Sequence, residues 1–185
     1  MNIDQGTDFG RWDDETSKFI YHTSTKEILS MVDIPESVVD LGGGNGLLKE
    51  FIPNLITVDI DPEKKPDVLM DIFEYDKIHD MVIIRYVLHY LNDIEVIRLM
   101  KHAMTIANQV LTINIVNNDL KGKYENSINE TKYFRTSQQL SALIPDDIHR
   151  IYRKSYMVSR EFYKNRLNNP NGKAHFESIE AHLIK

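Results

Sequence analysis

The chain has 185 residues, 42% hydrophobic and 27% charged, with a formal net charge of −6; that length fits one domain able to bury roughly 70% of its unfolded surface. Without cysteine it has no disulfide, thiolate nucleophile or cysteine-ligated zinc, and its acidic balance argues against tight, non-specific binding to polyanions. Met1 to Gly6 contains neither a basic n-region nor an apolar h-region, and no apolar run approaches the roughly 20 residues a bilayer requires, so a cytoplasmic protein without a membrane partner is expected.

Near the N-terminus, Phe9-Gly10-Arg11-Trp12 and Phe19-Ile20-Tyr21-His22 concentrate aromatics around Asp13, Asp14 and Glu15. One reading is a flap that closes over a bound ligand; the other is an amphipathic helix packed on a sheet. Ser24-Thr25-Lys26-Glu27 has the spacing of a capping box, which predicts a helix from about Thr25 to Val32.

Val38-Val39-Asp40-Leu41-Gly42-Gly43-Gly44-Asn45-Gly46 is an apolar run that ends in an acid and then four glycines within five positions. It predicts a buried strand turning directly into a helix, with a nucleotide-like ligand lying on the turn, because glycine tolerates positive φ and lets a ligand reach the backbone. The helix from Leu47 to Ile52 is stopped by Pro53. Leu55-Ile56-Thr57-Val58 is the second predicted strand, and Asp59 at its end is placed to hold two ribose hydroxyls, or else simply to form the turn into Asp61-Pro62.

Pro66 to Phe73 predicts a short third strand with Asp71 just past it, able to accept from an exocyclic amine or to cap a turn. Only Pro62 to Pro66 precedes it, so the usual crossover helix is replaced by a loop. Met81-Val82-Ile83-Ile84 is the clearest strand, a continuous apolar run suited to cover on both faces, and Arg85 to Leu91 follow it. Asn92 or Asp93 can cap the next helix, with Ile97, Met100, Met104 and Ala107 as its core-facing stripe. Val110 to Val116 is the fifth strand, and Asn117-Asn118-Asp119 a loop signal. Tyr133 to Ile144 then reads as a helix capped by Thr136 and closed by Pro145. Ile151 to Leu167 and Ala174 to Ile184 read as a terminal hairpin around the turn cluster Asn168 to Gly172.

In this order, Val38 to Gly46, Asp59, Asp71-Ile72 and Asp80 to Leu91 resemble the motifs of class I S-adenosylmethionine-dependent methyltransferases of the small, Rossmann-like kind, over roughly a third of the chain. The resemblance implies an α/β fold: a Rossmann-like seven-stranded, mostly parallel sheet flanked by helices, with a C-terminal antiparallel hairpin. It implies one domain in three parts: an N-terminal helical flap over 1–34, a cofactor-binding half over 35–120, and a substrate-side helix and terminal hairpin over 121–185. It implies S-adenosyl-L-methionine as cofactor and S-adenosyl-L-homocysteine as product, with Asp40, Gly42, Gly43, Gly44, Asn45 and Gly46 at the methionine part. Asp59 and Ile60 then serve the ribose, and Asp71 and Ile72 the adenine. The first helix is short and the second is a loop, both departures from the family pattern. A dinucleotide fingerprint fits less well, because the sixth position counted from Gly42 is Leu47 and from Gly44 is Lys49.

Transfer from a sulfonium needs little more than a nucleophile held in a dry pocket. Residues just past the fourth strand face the methyl group in this fold, which singles out Arg85, Tyr86, His89 and Tyr90. His89 is the candidate general base; its other reading is a cap on the following helix or a residue packed under it. Arg85 could anchor a carboxylate or phosphate, at the substrate or at the cofactor, or form a plain surface ion pair, and Tyr86 is a second catalytic candidate, with Tyr21 and His22 of lower rank. Arg85-Tyr86-Val87-Leu88 does not resemble the acid or asparagine, Pro-Pro and aromatic of DNA amino-methyltransferases, and Arg85 stands where a magnesium-dependent catechol-type site has an aspartate, so no metal is expected. A small-molecule acceptor, methylated on oxygen or nitrogen, is the leading expectation. Arg150 to Arg166, with six basic residues, one acid and interleaved aromatics, keeps RNA or protein open as acceptor, and a non-catalytic cofactor-binding subunit is the reading of another class.

Overall fold

The computed structural model describes residues 15–117, 122–125, 131–144, 148–158 and 175–184, with side chains described over 22–117, 133–144, 149–155 and 178–184. Helix α1 (Glu15–Leu29) leads into β1 (Val38–Leu41), β2 (Ile56–Asp59), the two-residue β3 (Val68–Leu69) and β4 (His79–Arg85). Helix α2 (Asp93–Ile106), β5 (Ala107–Asn117), a hairpin of β6 (Gly122–Glu125) and β7 (Thr131–Phe134), helix α3 (Ser137–Ser141), β8 (Ile148–Val158) and β9 (His175–Ile184) follow.

The main sheet has seven strands in the order β3-β2-β1-β4-β5-β9-β8. β1 to β5 are mutually parallel, and β9 enters antiparallel between β5 and β8. This is the expected mostly parallel sheet with a terminal antiparallel pair.

Alternation along the strands divides the core into two layers. Val39, Leu41, Val82 and Ile84 face α2, whereas Val38, Met81, Ile83 and Ile113 share a layer with Ile28 and Leu29 of α1 and Val32 just after it. Both faces of the central strands are therefore covered, which explains why β1 and β4 read as unbroken apolar runs. Among the described residues no helix is long and apolar enough to cross a membrane.

Several local expectations need correction. Helix α1 begins ten residues before Thr25, and Ser24 lies inside it, 1% exposed; Glu27 is drawn away to Tyr152 and Lys154 instead of closing a capping box. The buried side of α2 is Val96, Leu99, Met100, Ala103 and Ile106, while Ile97 and Met104 are exposed and Ala107 already belongs to β5. Asn92 is the cap, in a full capping box with Glu95. The segment read as a helix from Tyr133 to Ile144 divides into the end of β7 and the five-residue α3, although Thr136 does cap that helix. The turn cluster Asn168 to Gly172 and the aromatic segment Phe9 to Trp12 lie outside the described residues.

Both short connections have a physical replacement for the missing helices. After the glycine turn, Leu47–Glu50 forms a single 3-10 turn. Between β2 and β3, Asp67 Oδ2 accepts from the backbone N–H and the hydroxyl of Thr57, each at 2.8 Å, while Asp67 Oδ1 accepts from Lys49 Nζ at 2.6 Å. One aspartate thus pins the loop to β2 and to the 3-10 turn.

Candidate functional site

The glycine turn sits at the carboxyl end of β1. Gly42, Gly44 and Gly46 have φ of 76°, 54° and 72°, the left-handed region that side chains disfavour. A Cβ on Gly42 would lie 2.5 Å from Val87 Cγ2, and one on Gly43 would lie 3.0 Å from Asp40 Oδ2 and from Thr57 Cγ2. The turn is therefore pressed between β2 and the segment that follows β4.

Its amides are largely used within the protein. Gly42 and Gly43 N–H donate to Val58 O, Gly46 N–H donates to Gly43 O, and Gly44 N–H donates to Asp59 Oδ2 at 2.8 Å. A pyrophosphate cradle would need such N–H groups turned outward, with the dipole of a full helix behind them. The geometry does not offer that, so it speaks against the dinucleotide alternative.

Asp40, on the α1 face of β1, is fully buried, and neither carboxylate oxygen has a hydrogen-bond partner among the described residues. Burial pushes its pKa up to about 7, with the nearby Arg85 guanidinium pulling down and the Asp59 carboxylate pushing up. Arg85, the last residue of β4, has a buried Nε without a hydrogen-bond partner among the described residues. Buried polar groups in native proteins are normally satisfied, so this pair is the candidate place for a ligand.

Asp59 is half-buried at the end of β2. Its Oδ2 receives Gly44 N–H, and its Oδ1 receives Asp61 N–H at 3.0 Å. Each oxygen keeps a second lone pair for an incoming hydroxyl. Asp71 caps its own turn, with Oδ1 accepting from Phe73 N–H at 3.0 Å. Ile60 and Ile72 are half-buried beside these acids and Asn45 is exposed on the turn.

Beyond Arg85 the chain reverses through Tyr86, whose φ of 56° is rare for a non-glycine residue. The kink drops the Tyr86 ring into the core layer beneath α1 and leaves Arg85 and Val87 flanking the glycine turn. Burial pushes the Tyr86 hydroxyl well above its ordinary range, against opposing pulls from Arg85 and a hydrogen bond with Thr25. His89 lies in the 3-10 turn Leu88–Tyr90, 8% exposed, its ring 4.2 Å from that of Tyr90. His22 packs instead on the turn after the glycines, 4.8 Å from the Phe51 ring and 3.5 Å from Glu50. The side chain of Tyr21 lies outside the described residues.

Residue spacing alone did not reveal Arg135. Its guanidinium, 6% exposed, donates to Leu88 O at 2.8 Å, Leu91 O at 2.7 Å and Asp93 Oδ1 at 2.9 Å, bracketing the His89 turn. On β8, the basic residues are already paired: Arg150 and Arg153 approach Glu180, which is fully buried, and Lys154 approaches Glu27. Arg160, Lys164 and Arg166 lie outside the described residues. Among the described residues no group of three or more metal-binding side chains converges.

The architecture matches solved methyltransferases. The magnesium protoporphyrin IX methyltransferase ChlM from Synechocystis, solved with bound SAM, superimposes with a TM-score of 0.61 at 16% identity, over 98% of this chain and 93% of that one. The fold of this chain is that of the class I, Rossmann-like methyltransferases. An O-methyltransferase from a trans-AT PKS multienzyme of Brevibacillus brevis, in complex with S-adenosyl-L-homocysteine, gives a TM-score of 0.58 at 14% identity, over 95% of this chain and 78% of that one. The mitomycin 7-O-methyltransferase MmcR gives 0.55 at 16% identity, and this chain spans 58% of its length while 91% of this chain is covered. No protein-family model matches the sequence, and no match was found among the curated proteins.

Proposed function

We propose that the protein is an S-adenosylmethionine-dependent methyltransferase that acts on an oxygen or nitrogen of a small molecule. The observation that carries this is Asp40 beside Arg85: a buried carboxylate and a buried guanidinium N–H, both lacking hydrogen-bond partners among the described residues, at the tip of a glycine turn. An amino acid carries the complementary pair, an ammonium and a carboxylate. The methionine end of the cofactor would satisfy both groups at once, which a nicotinamide dinucleotide would not.

Asp40, Gly42, Gly43, Gly44, Asn45, Gly46 and Arg85 would hold that end, Asp59 and Ile60 the ribose, and Asp71 and Ile72 the adenine. When bound, the cofactor supplies a methyl group already activated on a sulfonium. The chain's own work is to orient the acceptor, exclude water and remove a proton. We assign the proton to His89, at the turn after β4, and give Tyr86 a positioning role because its hydroxyl is buried against α1.

Two points support a small acceptor. Two of the solved neighbours are named for small-molecule acceptors, mitomycin and magnesium protoporphyrin IX. The described basic side chains of β8 are occupied by Glu180 and Glu27, which weakens the polyanion reading. Incubating the protein with methyl-labelled S-adenosylmethionine and fractionated cell extract tests the proposal. Label in small molecules supports it, label in RNA or protein reassigns the acceptor, and label nowhere favours a non-catalytic cofactor-binding subunit.

A further inference from the structure

The turn that carries His89 is held from outside its own strand and helix. Arg135 lies between β7 and α3, and its guanidinium makes four hydrogen bonds and one further ion-pair contact. Nη1 donates to Leu88 O at 2.8 Å and Tyr133 O at 3.4 Å, Nη2 to Leu91 O at 2.7 Å, and Nε to Asp93 Oδ1 at 2.9 Å, while Nη2 also lies 2.8 Å from Asp93 Oδ1 within the same ion pair. Its own carbonyl accepts from Asn117 N–H, at the carboxyl end of β5, at 2.9 Å.

Helix α2 does not require this clamp. Its N-terminus is already closed by the reciprocal bonds of Asn92 and Glu95, at 3.0 and 2.8 Å. What Arg135 adds is a link between the β6–β7 hairpin, the end of β5 and the two carbonyls on either side of His89. Asn117, at the carboxyl end of β5, lies at the same end of the sheet as Asp40 and Arg85.

We propose that Arg135 is a positioning residue: it fixes the Leu88–Leu91 turn, and His89 within it, against the β6–β7 hairpin, so that turn and hairpin form one rigid wall on the acceptor side of the site. The catalytic part of this statement rests on the methyltransferase reading; the clamp itself does not. Lysine cannot substitute, because a single ammonium lacks the planar fork that reaches two carbonyls and a carboxylate together.

The test uses the full chain with Arg135→Ala and Arg135→Lys. Amide hydrogen exchange at Tyr90 and Leu91, which donate to Val87 O and Leu88 O, should quicken at least tenfold in both variants while the central strands keep their protection. S-adenosylhomocysteine affinity, measured by calorimetry, should stay within about twofold. Label transfer from S-adenosylmethionine into cell extract should fall at least tenfold, and added guanidinium ion should restore part of it in Arg135→Ala but not in Arg135→Lys. Unchanged exchange at Tyr90 and Leu91 overturns the clamp, and wild-type transfer in both variants overturns the positioning role. A uniform rise in exchange, with cofactor affinity lost in step and no guanidinium rescue, reduces Arg135 to a purely structural residue and also overturns it. If the wild type binds no S-adenosylhomocysteine, it is the methyltransferase reading that fails, and local exchange alone then decides the clamp.

Discussion

Asp40 and Arg85 stand on one face of adjacent parallel strands: Asp40 pairs in register with Ile83, and Arg85 lies two residues further along β4. Neither the Asp40 carboxylate nor Arg85 Nε has a hydrogen-bond partner among the described residues. Adjacent and opposite in charge, they would form the proposed receptor for a zwitterion, with the glycine turn as its floor.

That floor depends on the absence of one methyl group. Gly42→Ala places a Cβ 2.5 Å from Val87 Cγ2 at a φ of 76°. Left-handed strain and overpacking together should cost about 2–4 kcal/mol. A denaturant titration checks this, and a loss below about 0.5 kcal/mol would show that β4 and the turn separate easily.

Asp67 should matter more than its exposure indicates. Burial pushes its carboxyl up, but the hydrogen bonds from Lys49 and Thr57 outweigh it and the net shift is downward. Asp67→Ala leaves the Thr57 N–H and hydroxyl without their acceptor and should cost about 1–3 kcal/mol. Lys49→Ala removes only a half-exposed ion pair and should cost under about 1 kcal/mol. Equal losses in the two variants would mean that the ion pair, not the strand contact, holds the loop.

Stability should respond to pH through two buried groups of opposite sign. Asp40 titrates near 7 when folded against 3.8 ordinarily, so the folded chain holds the extra proton and stability falls as pH rises across that window. His182 is pushed down to about 4 by burial and by Arg150, so the unfolded chain holds the extra proton and stability falls as pH drops from 6.5 to 4. The full effects are about 4 kcal/mol for Asp40 and about 3 kcal/mol for His182, and the two oppose each other in the wild type. Asp40→Asn should therefore gain on the wild type at pH 8 and not at pH 4, and His182→Gln should gain at pH 4 and not at pH 8. Parallel pH profiles for the three proteins would refute both assignments.

His89→Ala should bind S-adenosylhomocysteine as the wild type does and transfer label more slowly, by about 10² if the imidazole is the base. Undiminished transfer would return His89 to a packing role against Tyr90.

The central strands were legible because β1, β2, β4 and β5 are buried on both faces and so carry unbroken apolar runs. The face of α2 was not, since Ile94, Val96, Ile97, Leu99, Met100 and Met104 surround it with apolar side chains and only the packing of the sheet selects Val96 over Ile97. The hairpin formed by Gly122–Glu125 and Thr131–Phe134 is short and polar, so its alternation is too weak to recognise, and Tyr133-Phe134 was absorbed into a helix. At the site, glycines and acids announced themselves through residue type. Asp59 as a brace for Gly44, and Arg135 as a clamp on Leu88 and Leu91, depend on contacts across 15 and 44 to 47 positions that no local pattern encodes.

Calorimetric titration with S-adenosylhomocysteine at pH 6.5, run in two buffers of different ionisation enthalpy, addresses the zwitterion receptor most directly. Asp40 is largely protonated at that pH in the free protein, and a ligand ammonium placed beside it favours the carboxylate. Binding at one site with release of roughly half to one proton, abolished in Asp40→Asn, is the expected result. No binding, or an enthalpy that is the same in both buffers, would contradict the placement of the amino-acid end between Asp40 and Arg85.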